Sequence, residues 1–386
     1  MSSLMKKGLL FGLVAAFILS GSVVLAGEVT NSKDKVSVSL YGQVNRAMTY
    51  VNDGEDSYLN HVDNDNSSTR FGFKVKAQGS DTFTAGANLE WEYQQNASNN
   101  SNQANDAEDG TLDKRILDVY LDFAGIGTFT LGHGMTASDG TSQMDLSGTK
   151  VAGYSLINAW AGSYFFYDTN TGRTTITPDG VMDDLDGNSR KDRFRYDSPK
   201  LSGFQIAAST FERDTTDNGV AKHGAAYDVA LKYSGKVGDT VKLVGALAFS
   251  DYPSSDGANA YDKQINGSLS VLFSGISVTF ATGQRDLTNV TAGSADSEKF
   301  YYGKLGYMAD FTSVGATAFA VDYGKYDEFS GIVDDAASTY ALYAVQNLQD
   351  WGTELYTGYR IYQLDDRPGA SYDDIGAFFL GARIKF

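Results

Sequence analysis

A two-residue periodicity, recurring along almost the whole chain, is what most constrains the fold. At the C-terminus Phe378, Leu380, Ala382, Ile384 and Phe386 take every second position, with Phe379, Gly381, Arg383 and Lys385 between them. Side chains alternate across a strand, so one face of this segment is apolar and the other needs water. Near the other end Val36, Val38, Leu40, Gly42 and Val44 alternate with Ser37, Ser39, Tyr41, Gln43 and Asn45. Phe71, Phe73, Val75 and Ala77 alternate in the same way with Arg70, Gly72, Lys74 and Lys76. About sixteen such runs divide the chain: 35–51, 68–78, 82–95, 112–124, 127–134, 190–198, 203–214, 223–234, 240–251, 261–273, 275–286, 298–309, 313–324, 338–347, 352–364 and 374–386.

The gaps between runs alternate in length. Gln78–Asp81, Ala124–Gly127, Ser234–Asp239 and Ser274–Gly275 are short, whereas 52–67, 96–111, 135–189, 325–337 and 365–373 are long. Short turns at one end and long loops at the other describe an outer-membrane barrel, and an even strand count puts both termini at the short-turn end. In lipid an unpaired sheet edge leaves backbone groups unsatisfied, so the first and last runs must pair. Tyr50, Tyr93, Tyr233, Tyr323 and Tyr359 near run ends suit interfacial aromatic girdles. A soluble β-sandwich shows the same alternation; the strand number, the loop asymmetry and an export signal favour the barrel. The expectation is an all-β transmembrane antiparallel β-barrel with short periplasmic turns and long extracellular loops.

The signal is read over residues 1–26. Lys6 and Lys7 precede an apolar run from Leu9 to Leu19, and Val24-Leu25-Ala26 offers small residues for cleavage. Cleavage there leaves 27–386 as one barrel domain. Elsewhere no stretch of about eighteen consecutive apolar residues could form a spanning helix, and the mean hydropathy of −0.28 is too polar for a helical membrane protein. Twenty-four tyrosines, 22 phenylalanines, 42 glycines and only 4 prolines also favour strands and turns. There is no cysteine, which removes disulfides, thiol nucleophiles and cysteine-bound metals. The net charge of −17, more negative still once Lys6 and Lys7 are removed, disfavours nucleic acid.

Chemistry of other kinds has little footing. His61, His133 and His223 lack a serine in a nucleophile context, and no phosphate loop or H-E-x-x-H motif is present, so no enzyme and no cofactor are expected. Asp179, Asp183, Asp184, Asp186 and Asp192 cluster, but not at the spacing of a calcium loop, and read as a solvated acidic loop. Outer acidic loops could instead share divalent cations with lipopolysaccharide phosphates. By parity Arg70, Lys74, Arg193, Arg195, Lys304 and Arg360 face the lumen, as do Tyr41 and Gln43. Tyr302, Tyr356 and Tyr362 share that parity and would suit a sugar path.

Several segments in order carry a family resemblance: Leu40-Tyr41-Gly42; Arg70-Phe71-Gly72-Phe73-Lys74; Trp91-Glu92-Tyr93; Gly127-Thr128-Phe129-Thr130-Leu131-Gly132; and Arg193-Phe194-Arg195-Tyr196-Asp197-Ser198-Pro199 before Gly203-Phe204. Over nearly the whole mature region the chain resembles the general diffusion porins of Gram-negative bacteria, a trimeric, sixteen-stranded outer-membrane family. The resemblance implies an inward-folded third loop within 135–189 that narrows the lumen, with wall bases facing loop acids. Arg70 and Arg195 match wall arginines, and Glu92 matches a lumen carboxylate. Asp139 and Asp145 are the loop's early acids. Gln43 stands where relatives carry lysine, and His133 where they carry arginine, although parity puts His133 with Phe129 and Leu131 unless a bulge re-aims it. The loop sequence Pro-Glu-Phe-Gly-Gly of enteric members is absent. Phe386 matches the terminal aromatic presented to the barrel-assembly machinery.

These readings imply an outer-membrane barrel, a homotrimer by the resemblance alone, in contact with lipid and lipopolysaccharide, that passes small hydrophilic solutes and ions. The acidic balance predicts cation preference. A channel selective for sugar, phosphate or organic acid, and a non-conducting structural or adhesion barrel, are the other readings.

Overall fold

The computed structural model describes residues 28–30, 35–105, 109–217, 220–252, 260–288, 290–291, 293–329, 333–365 and 369–386; the export signal expected over 1–26 lies outside them. Sixteen strands form the barrel: β1 (Val36–Asn52), β2 (Arg70–Ser80), β3 (Phe83–Gln94), β4 (Thr111–Phe123), β5 (Gly127–Met135), β6 (Arg190–Asp197), β7 (Phe204–Asp217), β8 (Val220–Val237), β9 (Val241–Asp251), β10 (Ala260–Phe273), β11 (Ile276–Thr288), β12 (Ser297–Thr312), β13 (Gly315–Asp327), β14 (Ala336–Leu348), β15 (Thr353–Asp365) and β16 (Ile375–Lys385). Each pairs antiparallel with its neighbours. Two short strands, Glu28–Thr30 and Ser57–Asp63, join the same sheet along β1.

The ends of the chain close the wall. β1 pairs with β16 from Gln43↔Lys385 to Asn52↔Gly376. Gly42 and Phe386 then exchange backbone hydrogen bonds of 2.8 and 3.0 Å. Gly42 has no side chain because the Phe386 ring occupies that space: a Cβ would stand 2.6 Å from it. The lower half of β1 pairs with β2, and its upper half pairs with Ser57–Asp63. The connections at the short-turn end are tight. Ser274 and Gly275 both take positive φ, 49° and 84°, in the two-residue turn whose twist suits a hairpin.

Exposure follows the periodicity in the sense a membrane requires. Leu131, Leu247, Phe280, Leu305 and Leu342 on the outer face are 53–61% exposed apart from its ends. A soluble sandwich would bury that apolar set, so the exposed band identifies the lipid-facing surface. The wall is uneven in height. β1 and β12 run for 17 and 16 residues, but β5 and β6 for only 9 and 8. The long segment 136–189 leaves and rejoins the wall at this low point.

Candidate functional site

Segment 136–189 turns into the barrel and is fastened along much of its inner face. At its start Ala137 N donates to Ser209 Oγ (2.9 Å), and Ser138 N and Oγ donate to Asp228 Oδ2 (3.1 and 2.6 Å). Further along, Met144 N and Leu146 N donate to Ser268 and Ser270 on β10, each at 3.0 Å. Trp160 lies flat on Phe379 of β16, centroids 4.0 Å apart and planes within 6°. The Tyr362 hydroxyl donates to Ile157 O (2.8 Å) and also reaches Trp160 O. A small hairpin, Tyr167–Asp168 with Gly172–Arg173, then reaches the loop before β16, where Thr169 N donates to Ser371 O and Asp373 N to Tyr167 O. On its return the Gln264 amide donates to Leu185 O at 2.6 Å.

This docking converts half of the inner wall into a core. Phe300, Tyr302, Tyr326, Tyr343, Tyr356, Tyr362 and Phe379 all point inward and are at most 4% exposed. The sugar path expected of Tyr302, Tyr356 and Tyr362 is therefore absent. Their hydroxyls are spent on Asp322, Asn45 and the loop backbone, and their rings are covered. Arg360 and Lys304, expected to line open lumen, lie beneath the loop as well. Arg360 pairs with Asp322 (2.9 Å), side chains 1% and 0% exposed. Lys304 pairs with Asp145 (2.7 Å) and donates to Gly153 O. Asp145 thus holds the loop to the wall with a 2% exposed side chain rather than facing solute, which corrects its expected place on the acidic side.

The opposite wall, β2 to β4 with the lower end of β16, is less covered, whereas the inward residues Gln43, Asn45, Ala47, Thr49 and Val51 of β1 are at most 6% exposed. Arg70, Arg115 and Arg383 cluster there with side chains 24, 13 and 14% exposed. Their counter-ions come from the same wall. Arg115 pairs with Glu90 (2.7 Å) and Glu92 (2.5 Å), and Arg70 stands 3.8 Å from Glu90. Arg383 donates to Glu354 (2.6 Å), which Lys385 also meets at 3.0 Å. Arg383 Nη1, Gln43 Nε2 and Arg70 Nη2 converge on Ser67 Oγ at 2.8, 2.8 and 3.4 Å. Glu92 therefore belongs to the arginine side of the lumen and not to an opposing acidic face. Gln43, 6% exposed, ties Ser67 and Ser68 in place. Closer to the short turns, Tyr41 donates to Glu90 (2.9 Å) and lies under Lys74 Nζ at 4.8 Å.

A third group surrounds the loop's departure. Arg195 makes a two-pronged bond to Asp197, both arms 2.7 Å, and donates to Thr136 O. Lys232 donates to Asp139 O (3.3 Å), and burial lifts the Asp139 carboxyl above its usual range against the pull of Arg190, Lys232 and Arg195. Arg193 was expected to be open lumen charge. It is locked into the wall instead, with its nitrogens at 2.8 Å from Met135 O, Gly132 O and Asp118 Oδ2 and its side chain 4% exposed. His133 is corrected outright: no bulge re-aims it, and it stays on the outer face, meeting Asp192 at 2.9 Å with Lys114 3.6 Å from the same carboxylate.

The acidic run 179–192 is dispersed. Asp179 accepts from Asn158, Asp184 from Gln143 and Ser155, Asp186 from the backbone of Gly140 and Ser142, and Asp192 lies on the outer face. Among the described residues no such group is placed to hold a metal ion. Burial, with Asp183 beside it, pushes the Asp184 carboxyl up to about 7. Burial, then Asp184 and Asp139, also raises Asp186 well above the usual range.

Sequence reading missed Arg115 and Lys150. Parity with Leu117, Val119 and Leu121 points Arg115 outward, but the register slips between Glu90 and Trp91, and this bulge turns Arg115 in. Arg383 was visible on the charged face of the last run but had no assigned partner. Lys150 sits in a loop, where no periodicity can orient it.

A family model described as Gram-negative porin matches residues 12–367. Outer membrane porin PhoE of Escherichia coli (strain K12) is 24% identical over 409 aligned positions, covering 99% of this chain and 100% of the relative. Among solved structures, the anion-selective porin from Comamonas acidovorans superposes with a TM-score of 0.63 at 18% identity, covering 91% of this chain and all of that one. OmpT of Vibrio cholerae in its trimer form gives 0.55 at 14% identity, covering 92% and 100%.

Proposed function

The chain belongs to the Gram-negative porin family of the bacterial outer membrane, and from that premise we propose that it is a water-filled channel for passive diffusion of small hydrophilic solutes and ions. The observation that carries this reading is the exposure of Arg70, Arg115 and Arg383 inside a closed barrel. Charged side chains keep water there only if the lumen beside them is wet. The docked loop sets the size limit, because it covers the inner faces of β10 to β16 and of upper β1 and leaves passage beside the remaining wall. Arg70, Arg195 and Lys232, with Glu90, Glu92 and Asp139, then meet passing solute. No catalytic step is assigned.

The cation preference anticipated from the net charge finds little support at this narrowing. Guanidinium and carboxylate groups are matched nearly one for one along the open wall, and the similar Comamonas structure is described as anion-selective. A homotrimer is part of the proposal, supported by the trimer form of the Vibrio cholerae structure. So are cleavage of 1–26, contact with lipopolysaccharide, and Phe386 as the terminal group read by the assembly machinery. The test is single-channel recording of the purified, folded protein in a planar bilayer. Stepwise ohmic openings, in groups of three for a trimer, are expected. Verified folded barrels that insert and stay silent overturn the channel and leave a structural barrel.

A further inference from the structure

One lysine–carboxylate pair joins the inward loop to the wall out of reach of water. Lys304 on β12 donates to Asp145 Oδ2 at 2.7 Å, and the two side chains are 0 and 2% exposed. In the other described pairs, those of Lys114, Lys299, Lys325 and Lys385, the lysine side chain is 33–49% exposed. Asp322, which stands opposite Lys304 in the register of β12 and β13, is taken by Arg360 and by the hydroxyls of Tyr302 and Tyr343.

Both partners are held in place. The residues on either side of Asp145 donate their backbone N–H groups to Ser268 and Ser270 of β10. Lys304 lies in mid-strand, its ammonium 5.3 Å from the centre of the Tyr343 ring. A second N–H of Lys304 donates to Gly153 O (2.6 Å). On the far side of the carboxylate, Ser147 N donates to Asp145 Oδ1, also at 2.6 Å. A nitrogen nucleophile, a carboxyl group and an N–H donor on one carboxyl oxygen are thus assembled in a dry site.

We propose that Lys304 and Asp145 form an intramolecular amide that ties the inward loop covalently to the barrel wall. Burial raises the Asp145 carboxyl, but the attraction of Lys304 and the bonds from Ser147 hold it below its usual range, so the pair starts as ions. One proton passes from Nζ to Oδ2 and leaves an amine and a carboxylic acid, the forms that burial penalises least. The amine lone pair attacks Cγ, and the charge that gathers on Oδ1 is met by the Ser147 N–H. The Cγ–Oδ2 bond then breaks. Oδ2 departs as water, with its own proton and one more from nitrogen, and the remaining N–H keeps its bond to Gly153 O. No oxidant, reductant or other reactant enters. Holding the two groups in contact is worth an effective concentration on the order of 10⁵ M, which free amine and acid in water lack. The bond needs only the folded barrel and stands apart from conduction.

The experiment is a tryptic map of the purified protein, denatured after heat-modifiable gel migration has verified its fold, with Asp145→Ala and Lys304→Met alongside. The amide makes Lys304 refractory to trypsin, so the expected product is a branched peptide in which 116–150 is joined to 300–325. Its mass should fall short of the sum of the two peptides by one water, and fragmentation should place the bond at Asp145 and Lys304. Neither variant should yield it. Recovery of 116–150 and 300–304 as separate peptides from the folded wild type overturns the proposal without recourse to the variants. Loss of one water from 116–150 alone, with Lys304 still cleaved, is a cyclised aspartate and overturns it as well.

Discussion

Arg360 on β15 and Arg115 on β4 both point into the barrel, yet they occupy different media. Arg360 is 1% exposed and pairs with an equally buried Asp322 under a lid of loop and tyrosine. Arg115 is 13% exposed and shares Glu90 and Glu92 at the edge of water. Inward orientation therefore does not define a pore-lining residue. Where segment 136–189 lies against the wall, the inner face behaves as the interior of a soluble protein, with stacked rings and buried ion pairs. Where it does not, the same face carries hydrated charge.

Removing what fastens the loop should have the largest effect. Trp160→Ala deletes the stack on Phe379 and the bond from Trp160 Nε1 to Ala152 O (2.7 Å), a loss of about 3–5 kcal/mol in docking. The expected outcome is a higher, noisier conductance and protease cleavage within 136–189, with the barrel still folded. An unchanged conductance would mean that the loop does not restrict the path.

Asp322→Ala sharpens the comparison between the two arginines. It strands Arg360 without a counter-charge and should cost about 3–5 kcal/mol, read as a lower temperature for barrel unfolding on gels. On the open wall Arg115→Gln should cost about 1 kcal/mol or less in the same assay, because water replaces the lost partner. Equal losses at both sites would mean that the two arginines share one medium.

A smaller and graded effect is expected from pH. Asp184 sits near 7 in the docked loop against an ordinary 3.8, so docking takes up a proton. The contribution is whole below about pH 4, fades as pH rises toward 7, and is level above that. Asp183, Asp186 and Lys150 face it from the loop, and Tyr326 from the wall; raised Asp186 acts in the same direction. Exchange protection of the Gly140 and Ser142 amides, corrected for intrinsic rates, should fall by at most about tenfold per pH unit per titrating group in that window. Asp184→Asn should flatten the profile; an unaltered slope would exclude Asp184 as its source.

The barrel was legible because its signal is local. A period of two needs only neighbouring residues, and each of the sixteen runs overlaps the strand it anticipated, down to the pairing of first and last. The site was legible in part. Arg70 and Arg195 keep inward side chains that are 24 and 16% exposed, but Arg193, Lys304, Arg360 and Asp145 were spent on the wall and the loop. Arg115 was missed because a bulge breaks the periodicity that the reading relied on, and His133 was misplaced because no bulge occurs where one was needed. The tyrosines at 302, 356 and 362 had the right parity and the wrong surroundings.

What the sequence determined by itself is the number of strands, their order and, where no bulge intervenes, which side chains face lipid. Those follow from steric alternation and from the cost of leaving backbone groups unpaired in a membrane. What only the tertiary structure decided is which inward residues see water. That depends on where 136–189 lies, and its position is held by contacts such as Lys304 with Asp145 and Tyr362 with Ile157, between residues more than 150 positions apart. No local pattern records those meetings, because each partner alone is an ordinary polar or aromatic residue on a strand face or in a loop.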